Sequence, residues 1–329
     1  MLKLNPIFAD EMILQANKPV IICGEGDGNV TVTIGTDSAT VSTKDGKWLV
    51  ELPSHGYGEI FDIKVTCGDA NITLENATFG DVYLLGGQSN IEFKLKEGVI
   101  DGEIFECADV RFFSTQNVLD DDFYKPHDGW VKCDKTSAPE LSSIGYYFAR
   151  EEYKKNPRPI GFVAACQGAS VIQTWLSKKA IEELYAELPE SDIPWDKRAL
   201  GAYEWNANTY LHDFVFSQVA PFRFAAVVWY QGESNAKPHE CQIYDVLLLK
   251  LIESWREELM DSSLRFVIIQ IADNDERAGE PWTRVQQMQE LVASKCPNTV
   301  LVKSADICET DNIHPPTKHI LAKRISDSI

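Results

Sequence analysis

The sequence has no apolar run of about 18 residues, no C-x-x-C pair, no H-E-x-x-H, and too few basic residues to balance its acids. Each absence removes a class of function. Without a long apolar run, no helical membrane span is expected. The eight cysteines (23, 67, 107, 133, 166, 241, 296 and 308) stand singly. That spacing speaks against a disulfide framework or a thiolate zinc site and fits a reduced environment. His127, His212 and His239 are too far apart along the chain to suggest a metal site. Neither a metal nor a cofactor is expected. With 31 Lys and Arg against 50 Asp and Glu, the net charge is −19. Such a field repels nucleic acid and anionic membranes, so neither is expected as a partner. No sustained apolar stretch precedes Asp10, so no secretory leader is read and a cytoplasmic location is expected.

What is present is ordinary globular material. The 329 residues are 44% hydrophobic and 10% aromatic, enough for a real core and long enough for two domains. Residues 1–79 read as all-β. "NVTVTIG" alternates Val30, Val32 and Ile34 with threonines, and "FDIKVTC" alternates Phe61, Ile63, Val65 and Cys67 with polar residues. "GEGDGN", "TKDGK" and "SHGYGE" supply turns. About seven short strands at that spacing suggest a small β-sandwich.

From residue 80 to 329 the pattern changes. Apolar strands at Val82–Leu85, Val110–Phe113, Ile160–Ala165, Phe224–Tyr230, Phe266–Ile271 and Val300–Val302 alternate with helical segments. One helix is plain, because Ile243, Leu247, Leu251 and Trp255 recur every four residues along 240–259. The alternation argues for a parallel sheet covered on both faces. Residues 186–206 are the least regular stretch and read as a lid or an irregular insertion.

Two segments share an ending. "DVYLLGGQSNIEF" and "AAVVWYQGESNAK" are both apolar runs that close on Gly-x-Ser-Asn, at Ser89 and Ser234. Both sit at strand ends, where open α/β sheets bind ligands. Neither is a G-x-S-x-G elbow, since Ile91 and Ala236 occupy the last position. Near the C-terminus, "TDNIHPPTK" offers Asp311 and His314 three residues apart. A serine needs a base to take its proton, and an imidazole needs a carboxylate to fix its tautomer.

These pieces together resemble the sialate O-acetylesterase-type members of the SGNH (GDSL-like) hydrolases. The resemblance runs through "LNPIFADEMILQ", "KPVIICGEG", "DGKWLVELP", "GDVYLLGGQSNIEF", "QGASVIQTWLS", "WYQGESNA" and "DNIHPP". It implies a flavodoxin-like three-layer α/β/α hydrolase domain with a parallel sheet, preceded by a small β-sandwich. It also implies a serine esterase that removes O-acetyl groups from sugars through an acetyl-enzyme. Carried onto this chain, the nucleophile is Ser89, the base His314 and its orienting acid Asp311. The oxyanion hole is Ser89, Gly168 and Asn235, with Gln88, Gln231 and Glu233 in secondary positions. Glu233 is the rival to Asp311 as the acid, and Ser234 has no catalytic part. The partner implied is an acetylated sugar or oligosaccharide, and no oligomeric state is read.

The chain departs from the pattern where Gln167-Gly168-Ala169 replaces a more usual Gly-Gly pair, and between Ser177 and Trp205. Those are loops that would read the sugar. Acetylxylan or another oligosaccharide therefore stands as the alternative substrate, with a non-catalytic sugar-binding module disfavoured by the full set of reactive groups. Sialate binding calls for a cation against the sugar carboxylate, and Arg277 and Arg284 are the best-placed candidates.

Overall fold

The computed structural model describes residues 1–116, 118, 129–188 and 203–329. His127 and most of the irregular stretch 186–206 lie outside the described residues.

The N-terminal part forms β1 (Lys3–Leu4), β2 (Ile13–Gln15), β3 (Val20–Glu25), β4 (Asn29–Ile34), β5 (Asp37–Ser42), β6 (Lys47–Leu52) and β7 (Ile60–Cys67). The period-two pattern is realised in β4, where Val30, Val32 and Ile34 are buried and the intervening threonines are partly open. β1, β3 and β6 make a three-stranded antiparallel sheet. β4 pairs antiparallel with β5 and β7.

The next strand, β8, runs unbroken from Ala70 to Gly87. Its first half pairs antiparallel with β7 and its second half lies parallel between two later strands. One strand thus crosses from the alternating N-terminal pattern into the apolar pattern at residues 79–80. The crossing is tied by Asp81, which accepts from Arg158, Gln15 and Tyr57.

After β8 come β9 (Cys107–Ser114), β10 (Trp130–Cys133), β11 (Ile160–Cys166), β12 (Ala226–Tyr230), β13 (Arg265–Ile269) and β14 (Thr299–Val302). The helices are α1 (Ser89–Glu92), α2 (Ser143–Lys155), α3 (Lys178–Glu187), α4 (Tyr210–Phe214), α5 (Tyr244–Glu258), α6 (Glu280–Lys295) and α7 (His319–Asp327). The strand order is β10-β9-β11-β8-β12-β13-β14. From β9 to β14 all neighbours are parallel, and β10 pairs antiparallel at one edge, so the sheet is mixed. An antiparallel strand on the edge of an otherwise parallel sheet is a common arrangement in α/β folds.

The central strands are buried on both faces, which is why they read as continuous apolar runs. α5 forms where the four-residue repeat falls, and it buries Leu247, Leu248, Leu251, Ile252 and Trp255. Trp255 meets Trp229 and Trp175 edge-on under the sheet. α2 begins at Ser142, whose hydroxyl accepts from the Gly145 N–H and donates to the Ile91 carbonyl. That contact fixes α1 against the body of the protein.

Chain order reverses at β8. β9 and β11 lie on one side of it, and β12, β13 and β14 on the other. A crevice therefore opens outside the carboxyl ends of β8, β11 and β12.

Candidate active site

β8 reaches this crevice through Gly86 and Gly87. Gly87 has φ +131°, and a Cβ there would collide with the Tyr230 carbonyl of β12. Only glycine tolerates both the conformation and the approach. The chain then turns at Gln88 and starts α1 at Ser89. As the first residue of a helix, Ser89 has an N–H without an intrahelical acceptor.

His314 arrives on the loop after β14. Its Nε2 lies 2.7 Å from Ser89 Oγ. Its backbone N–H donates to Asn312 Oδ1 at 2.8 Å. Burial, with Lys318 and Arg277 adding to it and Glu97 opposing, holds the imidazole below its ordinary pKa. At neutral pH the ring is uncharged and able to take a proton.

Asn90, the residue after the serine, is buried and fully engaged. Its Nδ2 donates to Glu233 Oε1 at 2.7 Å and to the Ile313 carbonyl at 2.9 Å. Its Oδ1 accepts from Lys318 Nζ at 2.7 Å. Lys318 is enclosed over the faces of Phe93 and Tyr230, and burial brings its ammonium down to about 8. Burial likewise pushes the Glu233 carboxyl up, with Asn90, Lys318 and Arg277 acting against it. Glu233 Oε2 is enclosed without a hydrogen-bond partner. Neither Asn90 nor Lys318 was singled out from the sequence. The Asn in "GQSN" was the available signal, but its partners are 143 to 228 residues away.

A cleft of about 330 Å³ opens above Ser89 and His314. Gln88, Glu92, Gly168, Tyr203, Trp205, Glu233, Ser234 and Arg277 also line it. Gly168 sits on the loop after β11. A Cβ there would lie 3.0 Å from Glu92 Oε2 and 3.7 Å from Ser89 Cβ, so the loop backbone runs directly beside the serine. Among the described residues, no protein acceptor takes the Gly168 N–H. The next residue, Ala169, has φ +53°, a left-handed conformation that glycine adopts at lower cost. This is the position where a second glycine was expected.

Several sequence-designated residues stand elsewhere. Asp311 is exposed, and no hydrogen bond or ion pair joins it to His314. Asn235 is fully buried below the cleft, and its Nδ2 donates to Gln173 Oε1 at 2.9 Å and faces Glu240 Oε2 at 3.4 Å. Its Oδ1 accepts from the Ile172 N–H and from Gln231 Nε2. The side chain expected to stabilise an oxyanion is thus spent inside the protein. Gln231 is buried too, joining Ser170, Asn235 and Tyr244. Gln88 does reach the cleft. Its Oε1 accepts from the Ser234 N–H at 3.3 Å, and among the described residues its Nε2 meets no acceptor. Ser234 lines the cleft, but among the described residues no imidazole bonds its hydroxyl.

Of the two arginines, Arg277 lines the cleft and is exposed, and its guanidinium forms no ion pair with a described carboxylate. Arg284 sits on α6 outside the lining, with its Nε enclosed and unpartnered. Among the described residues, no group of three or more His, Cys, Asp or Glu is placed to hold a metal ion. No helix among them is long and apolar enough to cross a membrane.

Known proteins agree with this architecture. Human sialate O-acetylesterase is 24% identical over 366 residues, covering 96% of this chain and 68% of its own. The mouse sialate O-acetylesterase is 25% identical, covering 95% of this chain and 70% of its own. The crystal structure of a carbohydrate acetylesterase from Xanthomonas citri superposes with a TM-score of 0.81 at 25% identity, over 98% of this chain and 73% of that one. The model of the family described as carbohydrate esterase, sialic acid-specific acetylesterase, matches residues 79–327. The chain belongs to that family, and its reaction class is carboxylic ester hydrolysis.

Proposed function

We propose that this protein removes O-acetyl groups from sugars, sialates before others, with Ser89 as nucleophile and His314 as its base. The observation that carries this is the 2.7 Å contact between Ser89 Oγ and an uncharged His314 Nε2 on the floor of a cleft at the strand-order reversal. Ser89 passes its proton to His314 as its oxygen attacks the acetyl carbonyl. The backbone N–H groups of Ser89 and Gly168 receive the oxyanion, and each such donor is worth about 2.7–4 kcal/mol in the transition state. Gln88 Nε2 takes the third place, which Asn235 does not fill. His314 then protonates the departing sugar oxygen, leaving Ser89 acetylated. A water activated by the same imidazole releases acetate.

Asp311 keeps the orienting role in this scheme. It is three residues from His314 on the same loop, and catalytic contacts that are open in a free enzyme often close only with substrate bound. The scheme also takes residues 1–79 as a β-sandwich domain and 80–329 as an SGNH-type three-layer hydrolase domain. The change of burial pattern within β8 and the family match from residue 79 support that division.

The favoured substrate class rests on the family and on Arg277, a cation in the cleft of an acidic protein that pairs with no carboxylate among the described residues. A guanidinium there can meet the sialate carboxylate in two parallel hydrogen bonds. The test is acetate release from O-acetylated sialates, xylo-oligosaccharides and neutral hexoses, with Arg277→Ala alongside wild type. Selective loss on sialates supports the assignment. Equal loss on all three favours the acetylxylan alternative.

A further inference from the structure

The geometry points to a sugar-ring subsite on the stacked pair Tyr203 and Trp205. The two rings lie nearly parallel, with centroids 4.4 Å apart and planes inclined by 21°. Both line the cleft that holds Ser89 and His314. Tyr203 is 41% exposed, so part of its ring is open to a ligand. An exposed aromatic face suits the apolar C–H face of a pyranose, because the ring supplies dispersion contact while the sugar hydroxyls stay in water.

The pair is built in rather than loosely placed. It sits on the short helical turn Glu204–Asn206. Asn206 grips the Gly168 loop from both sides, its Oδ1 accepting from the Val171 N–H at 2.9 Å and its Nδ2 donating to the Ala169 carbonyl at 3.0 Å. The Trp205 carbonyl accepts from Thr174 Oγ1 at 2.5 Å. The residues that carry the aromatic faces are therefore fixed to the loop that carries the Gly168 N–H. A sugar ring held on the pair has its acetyl carbonyl placed relative to that donor by one rigid unit, which is what orientation of a reacting group requires.

The subsite rests on the esterase reading of the same cleft, so the experiment separates the two. Acetate release from an O-acetylated sialate is compared with hydrolysis of vinyl acetate, which has no ring, in wild type, Tyr203→Ala, Tyr203→Phe and Trp205→Ala. Tyr203→Ala is expected to lower kcat/KM for the sugar about tenfold, mainly through KM, and to lower that for vinyl acetate far less. Tyr203→Phe keeps the face and is expected to match wild type. In parallel, binding of the deacetylated sugar to Ser89→Ala is measured with and without Tyr203→Ala. Sugar binding that vanishes with Tyr203 upholds the subsite even if no sugar ester is hydrolysed, in which case the esterase assignment alone falls. Sugar ester turnover that is indifferent to Tyr203→Ala, or equal losses on both esters, overturns the subsite and leaves the esterase standing.

Discussion

Asn90 Nδ2 donates to the carbonyl of Ile313 at 2.9 Å, so the residue after the nucleophile holds the peptide that leads into the base. The same side chain is held in turn by Glu233 and Lys318. Nucleophile and base come from segments far apart in the chain, and this amide ties the helix that carries one to the loop that carries the other.

Asn90→Ala is therefore expected to lower kcat about 10²-fold with little change in KM, since a misplaced base costs rate more than binding. It also strips the buried Lys318 and Glu233 of a partner, at about 1–3 kcal/mol of stability. Steady-state kinetics on an acetyl ester beside a thermal melt would separate the two effects. A normal kcat in a folded Asn90→Ala would remove the positioning role.

Asp311→Asn is expected to reduce kcat about 10²–10⁴-fold with KM nearly constant, because an amide favours the wrong imidazole tautomer. Glu233→Gln should act on KM or on stability, since Glu233 lines the cleft and bonds Asn90 rather than His314. A collapse of kcat for Glu233→Gln beside a near-normal Asp311→Asn would transfer the role to Glu233.

Gln88 and Asn235 should divide in the same manner. Gln88→Ala is expected to cost on the order of 10² in kcat as one donor to the oxyanion is lost. Asn235→Ala leaves the Ile172 N–H and Gln173 Oε1 without this partner, takes one of its acceptors from Gln231 Nε2, and should cost about 1–3 kcal/mol in stability. Comparing kcat with the denaturation midpoint for both variants decides it, and a specific kcat loss in a fully stable Asn235→Ala would restore its catalytic assignment.

The pH profile follows from His314. The imidazole must be uncharged to accept the Ser89 proton, so activity falls on the acid side as the ring is protonated. Burial and the Lys318 and Arg277 charges lower its pKa from 6.5, so the acid limb of kcat/KM should have its midpoint below that value. Arg277→Gln removes one of the depressing charges and should move the limb toward higher pH. A wild-type midpoint above 6.5 would show that the free-enzyme electrostatics are not as described.

The sequence was most legible where one side chain or one period decides the matter. β12, and β13 beyond the exposed Arg265, are nonpolar because both faces are covered, and α5 follows a four-residue repeat, so these elements could be read directly. Ser89 and His314 could be singled out because a hydroxyl and an imidazole at strand ends suit one chemistry, and the structure brings the two side chains together. The continuity of β8 through residues 79–80 was hidden, because its two halves obey different burial patterns within one strand. The edge strand β10 was also missed, since four residues give little period to read. Asn235 shows the other limit. Its loop borders the cleft through Glu233 and Ser234, but the direction of its amide is set by Gln173 and Glu240, contacts that no local spacing reveals. Lys318 was invisible for the same reason, since a lysine in a helical tail ordinarily faces water.

The most direct test of the site is acetate release from an O-acetylated sialate by wild type, Ser89→Ala and Ser234→Ala, each checked for folding by circular dichroism. The Ser89 hydroxyl faces His314 while the Ser234 segment only shapes the cleft. Ser89→Ala should therefore be folded and inactive, and Ser234→Ala folded and close to wild type. Retained turnover in Ser89→Ala, or its loss in Ser234→Ala alone, would contradict the assignment of the nucleophile.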